Sequence, residues 1–136
     1  MKLRIVALSA CLWCATLGLA SAQGDGWQLP AEAADEKNPI AVTDATLTAG
    51  RRLYRLQCER CHGPEGKGNG SDAIPSRKRE MDLTNPERAG RNPDGIVFHK
   101  IWSGREKPKM PAFKSKLTRE QVWTLTGYVQ SLRAKS

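Results

Sequence analysis

The chain has 136 residues, 39% of them hydrophobic, and 22 basic against 14 acidic side chains give a formal charge of +8. That is enough apolar material for one compact domain and too little for two. Four cysteines suit either a disulfide framework or a cofactor site, and their positions decide between the two.

Residues 1–22 have the layout of a secretory signal. Lys2 and Arg4 give a positive start, residues 5–19 are apolar apart from Ser9, Thr16 and Gly18, and Ala20-Ser21-Ala22 is a small-x-small cleavage site. The apolar run is short of the ~20 residues that a membrane span needs. Cleavage before Gln23, export to the periplasm and a mature form without a membrane span are therefore expected. Retention of the run as an N-terminal anchor is the alternative. Cys11 and Cys14 lie inside this segment, with Ala15 after them, and are expected to be discarded with it. Leu8-Ser9-Ala10-Cys11 has the form of a lipoprotein box, but the apolar run before it is too short for a signal core.

Residues 23–43 are acidic, with Asp25, Glu32, Asp35 and Glu36 against Lys37, and Pro30 and Pro39 interrupt any helix. They read as an extended arm, either loose or draped over the domain. The domain is expected over residues 44–136. A helix capped by Thr46 should run from Leu47 to about Cys58, with Leu53, Tyr54 and Leu56 on its apolar side. Gly50 within it costs roughly 1 kcal/mol against alanine, which suggests close approach of another helix.

Cys58-Glu59-Arg60-Cys61-His62 comes next, the attachment signature of a c-type haem. On one helical turn, two thiols at this spacing can reach both porphyrin vinyl groups, and the next residue is held under the ring as a proximal ligand. A thioredoxin-like pair would sit beside a βαβ pattern, and a zinc site would need further ligands nearby; neither is present. Once the haem takes Cys58 and Cys61, no mature thiol is left for a disulfide. The haem itself must then serve as the staple of a small core.

The stretch from Gly63 to Gly70 is an irregular glycine loop, unlike a P-loop in spacing and without a strand before it. Arg77-Lys78-Arg79 is short and belongs to an exported chain, so it reads as a solvated loop and no nucleic-acid partner is expected. Asn92-Pro93-Asp94 should start a helix that ends at Gly104, with the pairs Val97–Ile101 and Phe98–Trp102 facing the core. His99 lies on this helix, where a lone histidine is usually solvated or packed.

The better second iron ligand is Met110, in Lys109-Met110-Pro111-Ala112-Phe113. A thioether is a soft ligand that suits haem iron. Pro108 and Pro111 argue against burial in a packed helix, the usual place for a methionine. Met81 is much nearer in sequence to His62, which leaves less chain to reach the opposite ring face. The last helix is marked by the capping box Thr118-x-x-Gln121, the staple Leu117 and Val122, and a stripe through Leu125, Val129 and Leu132.

Residues 44–136 resemble the class I c-type cytochromes, in particular small mono-haem bacterial ones. The resemblance rests on Gly50 and Tyr54, the Cys58–Gly63 motif, the glycine loop and Met81-Asp82-Leu83-Thr84. It continues through Ile101-Trp102-Ser103-Gly104, Met110-Pro111-Ala112-Phe113 and the last helix. It implies an all-α cytochrome c fold of three to four short helices around one covalent haem, with the first and last helices crossing at Gly50 and Tyr54. It also implies His62 and Met110 as axial ligands and electron transfer between larger redox enzymes, with no substrate transformed. Related chains often carry a proline soon after the glycine loop, beside a carbonyl that orients the histidine. Here Ser71 or Asp72 stands there, and the partner of His62 is open.

Two rivals belong to other classes: a haem enzyme or gas sensor with a displaceable Met110, and a thiol-disulfide oxidoreductase. Arg105, Lys107, Lys109, Lys114 and Lys116 surround Met110 against Glu106 alone. That cluster suggests redox partners with acidic docking surfaces, for a carrier expected to be monomeric.

Overall fold

Thr43, rather than Thr46, ends up outside the first helix, and the two residues cap each other. The Thr43 hydroxyl accepts from the Thr46 amide at 3.2 Å, and the Thr46 hydroxyl accepts from the Thr43 amide at 2.8 Å. Helix α1 therefore begins three residues earlier than the expected cap allows and spans Asp44–Gln57. These positions come from a computed structural model that describes residues 26–133, so the expected signal lies outside the described residues.

Single-turn helices are found at Glu59–His62 (α2), Lys78–Met81 (α3) and Pro86–Ala89 (α4). Two longer ones, α5 over Asp94–Ser103 and α6 over Arg119–Arg133, complete an all-α architecture with no strand among the described residues. Among them, too, no helix is long and apolar enough to cross a membrane.

The frame is α1 crossed on α6, with α5 packed against α6. At the crossing, a Cβ added to Gly50 would lie 2.6 Å from the Tyr128 Cβ and 2.8 Å from the Thr124 carbonyl. Only a glycine lets the two backbones approach so closely. Tyr54, one turn on, is fully buried and meets Tyr128 with ring centroids 5.3 Å apart. Gly50→Ala should therefore push the helices apart and destabilise the fold by about 1–3 kcal/mol, seen as a lowered Tm at unchanged haem content.

Helix α6 is held as its sequence predicts. The Thr118 amide donates to Gln121 Oε1 at 2.9 Å, the Gln121 amide donates to Thr118 Oγ1 at 3.2 Å, and Leu117 and Val122 are both buried. Val97, Phe98 and Ile101 of α5 are buried, and Phe98 stacks on Trp123 at 4.1 Å.

Two expectations change. Leu56 is 73% exposed, because it lies two positions past Tyr54 and so falls on the opposite side of α1. Asn92 does not cap α5, whose N-cap position is taken by Pro93. The Asn92 side chain instead donates to the Arg88 carbonyl at 2.6 Å and accepts from Lys100 Nζ at 2.6 Å. The acidic arm is draped rather than loose: Ala33, in a short 3₁₀ turn over Ala31–Ala34, is buried against the start of α5.

Candidate functional site

Helix α1 ends at Gln57, and its last backbone bond, from the Cys58 amide to the Tyr54 carbonyl at 2.8 Å, delivers Cys58 to the next turn. The amides of Cys61 and His62 both donate to the Cys58 carbonyl, at 3.2 and 2.9 Å. Cys58, Cys61 and His62 thus share one helical turn. Tyr54 Oη donates to the Gly63 carbonyl at 2.6 Å in the buried core and fixes the exit from that turn.

These side chains face two adjoining cavities of about 320 and 90 Å³. Cys58, His62 and Met110 line both, and Cys61 lines the larger. The four residues singled out by the sequence, 48 positions apart from His62 to Met110, are therefore brought together around one space.

His62 Nδ1 hydrogen-bonds the Met81 carbonyl at 2.7 Å. That carbonyl, not one beside the glycine loop, orients the ring. With Nδ1 carrying the proton as donor, Nε2 keeps its lone pair for a metal. Burial, together with the positive Arg88, holds the imidazole below the usual histidine range and so favours the neutral form that can ligate. Met81, the alternative sulfur, thus serves the histidine through its backbone.

The Met110 segment is held by a different device. Arg105 and Met110 exchange two backbone hydrogen bonds, each 2.8 Å, closing a small loop. Gly104, at φ +64°, lies just before it. A Cβ there would fall 2.5 Å from both the Met110 carbonyl and the Ala112 amide. The Phe113 amide then donates to the Ile101 carbonyl at 3.1 Å, which ties the segment to α5.

Burial and the neighbouring Cys61 push the Cys58 thiol up to about 12. A redox-active thiol needs a lowered value, so this environment does not favour the oxidoreductase reading. His99 does not approach the cavity residues as a ligand. It is buried, and its Nε2 lies 2.8 Å from Glu36 Oε1 of the arm.

Sequence reasoning missed the place of four residues in the wall. Arg77, Arg88 and Arg105 all line the larger cavity, and Arg77 Nη1 is buried without a hydrogen bond, Glu80 Oε2 standing 3.6 Å away. Trp27 of the arm lines both cavities. An isolated tryptophan in an acidic, proline-interrupted segment was the available signal.

This donor set fits a covalent haem. Two thiols can add across two vinyl groups, an anchored imidazole and a thioether can take the iron, and a buried guanidinium nitrogen that makes no hydrogen bond can meet a propionate.

Comparison with known proteins points the same way. Residues 45–129 match the family described as cytochrome c oxidase, cbb3-type, subunit III. The chain is 32% identical over 91 residues to the cytochrome c6 of Parathermosynechococcus lividus, a match covering 67% of this chain and 95% of that one. Its fold resembles a chain of the reducing HAO-like protein complex of Kuenenia stuttgartiensis, at 30% identity and a TM-score of 0.57. That match covers 69% of this chain but 46% of the other, so this chain spans under half of that neighbour's length. A solved c-type cytochrome is similar at 26% identity and a TM-score of 0.51, over 62% of this chain and 96% of its own.

Proposed function

Because this chain belongs to the class I c-type cytochromes, we propose that it is a periplasmic carrier of single electrons whose haem iron would be held by His62 and Met110. Membership itself means a covalently attached haem c and electron transfer as the task. In the finer reading, Cys58 and Cys61 hold the ring through thioethers, His62 and Met110 bind the iron, and no substrate is transformed. When bound, the haem supplies an iron that cycles between Fe(III) and Fe(II). The observation that carries this reading is the common cavity wall formed by Cys58, His62 and Met110.

The chain's own residues supply the rest. Met81 fixes the histidine tautomer, Gly104 lets the Met110 segment fold back, and the apolar wall of Val97, Ile101 and Val129 keeps water from one side. We assign residues 1–22 to a signal peptide, 23–43 to an N-terminal extension and 44–136 to the mono-haem domain, acting as a monomer. A pyridine haemochrome spectrum of denatured protein tests the foundation: a c-type spectrum supports it, and free thiols without haem would end it.

The partner is read from charge. Lys107, Lys109, Lys114 and Lys116 surround the Met110 segment, while Arg105 turns inward, its side chain 13% exposed. Such a ring would steer an acidic surface on a redox protein toward the haem edge and act on association rate more than on affinity. The bimolecular electron-transfer rate should fall as salt is added. Charge reversal at Lys109 and Lys114 should flatten that dependence, and a rate indifferent to salt would remove the docking scheme.

A further inference from the structure

We propose that Trp27 is a positioning residue for the Met110 side of the haem site, carried there by a strap, residues 26–38, that lies outside the matched cytochrome region. The proposal rests on the haem reading above and adds a component from the N-terminal extension.

The strap is fastened along its length. Its middle crosses the start of α5 at Gly95, where an added Cβ would lie 2.0 Å from the Ala33 carbonyl and 2.6 Å from the Glu36 Cβ. The Gly95 amide donates to the Glu36 carbonyl at 3.1 Å, and the Glu36 carboxylate meets His99 Nε2 at 2.8 Å. Asn38 Nδ2 donates to the Trp123 carbonyl on α6 at 3.0 Å. At the other end Gly26, at φ +69°, passes so close to Lys107 that a Cβ would sit 2.9 Å from its carbonyl. A spacer with no role in the fold would not need two glycine-dependent approaches and a buried histidine partner.

What the strap delivers is Trp27. Its ring lines both cavities, with the Arg105 guanidinium carbon 4.4 Å and Lys100 Nζ 5.0 Å from its centroid. Arg105 is the residue whose backbone pairs twice with Met110, and its Nε donates to the Pro108 carbonyl at 3.0 Å inside the same loop. A tryptophan face against this guanidinium keeps Arg105 turned inward. It thereby braces the loop that presents Met110, while the indole itself closes one side of the cavity to water. If Trp27 served only to glue the arm down, its ring would belong with the apolar core. It is half-buried and rests instead on two cations at the cavity.

The test uses the full holoprotein. Exogenous imidazole competes with a thioether for ferric iron, so its apparent affinity reports how firmly the methionine loop is held. Trp27→Ala should tighten imidazole binding by about tenfold, the low end of the effect of removing a group that supports a ligand. It should also lower the reduction potential, since water at the haem edge favours the ferric state. Trp27→Phe should restore most of both. Glu36→Ala, remote from the cavity, should move both in the same direction by less, through loosening of the strap. If Trp27→Ala does not accumulate with haem, Trp27→Phe and Glu36→Ala carry the comparison against wild type. Imidazole affinity and potential unchanged in every haem-loaded variant would overturn the proposal. An absent c-type haemochrome spectrum in the wild type would instead overturn the reading beneath it.

Discussion

Cys58→Ala combined with Cys61→Ala should leave haem extractable by acid and acetone and the apoprotein largely unfolded. Without haem, the cavity of about 320 Å³ between the Cys58 turn and the Met110 loop has no apolar group to fill it. Water that enters in its place leaves the apolar wall of Cys58, Met110 and Phe113 uncovered. The whole stability of a small domain is only about 5–15 kcal/mol, so the loss of that buried surface is expected to unfold it. The walls are also charged: Arg77, Arg88, Arg105 and Lys109 would face one another across the space with Asp72 and Glu80 as the acids between them. No disulfide can compensate, since Cys58 and Cys61 are the two cysteines of the described chain. Far-UV circular dichroism and a thermal melt of the double variant provide the measurement. A helical apo form with a cooperative transition would show that α1, α5 and α6 support themselves without the cofactor.

The same cavity explains which parts of the molecule could be read in advance. Local signals did well where local chemistry decides the outcome. The Thr118–Gln121 box and the Leu117–Val122 staple start α6 as written, and the Cys58–His62 turn forms because α1 runs into it. Gly50 announced a helix crossing by its cost alone, and the crossing is there. Errors arose where two local signals competed. Thr43 and Thr46 are both capping residues, and the reciprocal bond between them, which neither residue shows alone, puts the helix start at Asp44. Asn92 has the right side chain to cap α5, but Arg88 and Lys100 claim it through contacts made only in the fold.

The roles that sequence reasoning missed are all set by tertiary structure. Met81 supports His62 with a backbone carbonyl, which every residue possesses and no motif encodes. Trp27 reaches the cavity only because Gly95 opens a notch for Ala33 and His99 offers a partner to Glu36. His99 bears no local sign of its role as the clasp of the arm, because that role depends on a pairing 63 residues away.

The two methionines near the site should separate cleanly by mutation, and the larger effect belongs to Met110. Met110→Ala removes the one thioether that lines both cavities with His62. The weak far-red absorption of iron–thioether coordination in the oxidised protein should vanish. The reduction potential should fall, because a thioether opposite histidine favours Fe(II). Axial ligation spans about 0.8 V across haem proteins, so the drop should be on the order of tenths of a volt. The vacated position should also admit small ligands, which the wild type is expected to resist, its Met110 loop being braced by paired bonds to Arg105. Ready ligand binding by the wild type would favour the gas-sensor reading over the carrier. Met81→Ala is the control, because alanine keeps the carbonyl that His62 uses. Its band and potential should stay close to wild type. Should the far-red band instead survive in Met110→Ala and disappear in Met81→Ala, the assignment of the sulfur would be reversed. The carbonyl of Met81 could then no longer be its whole contribution.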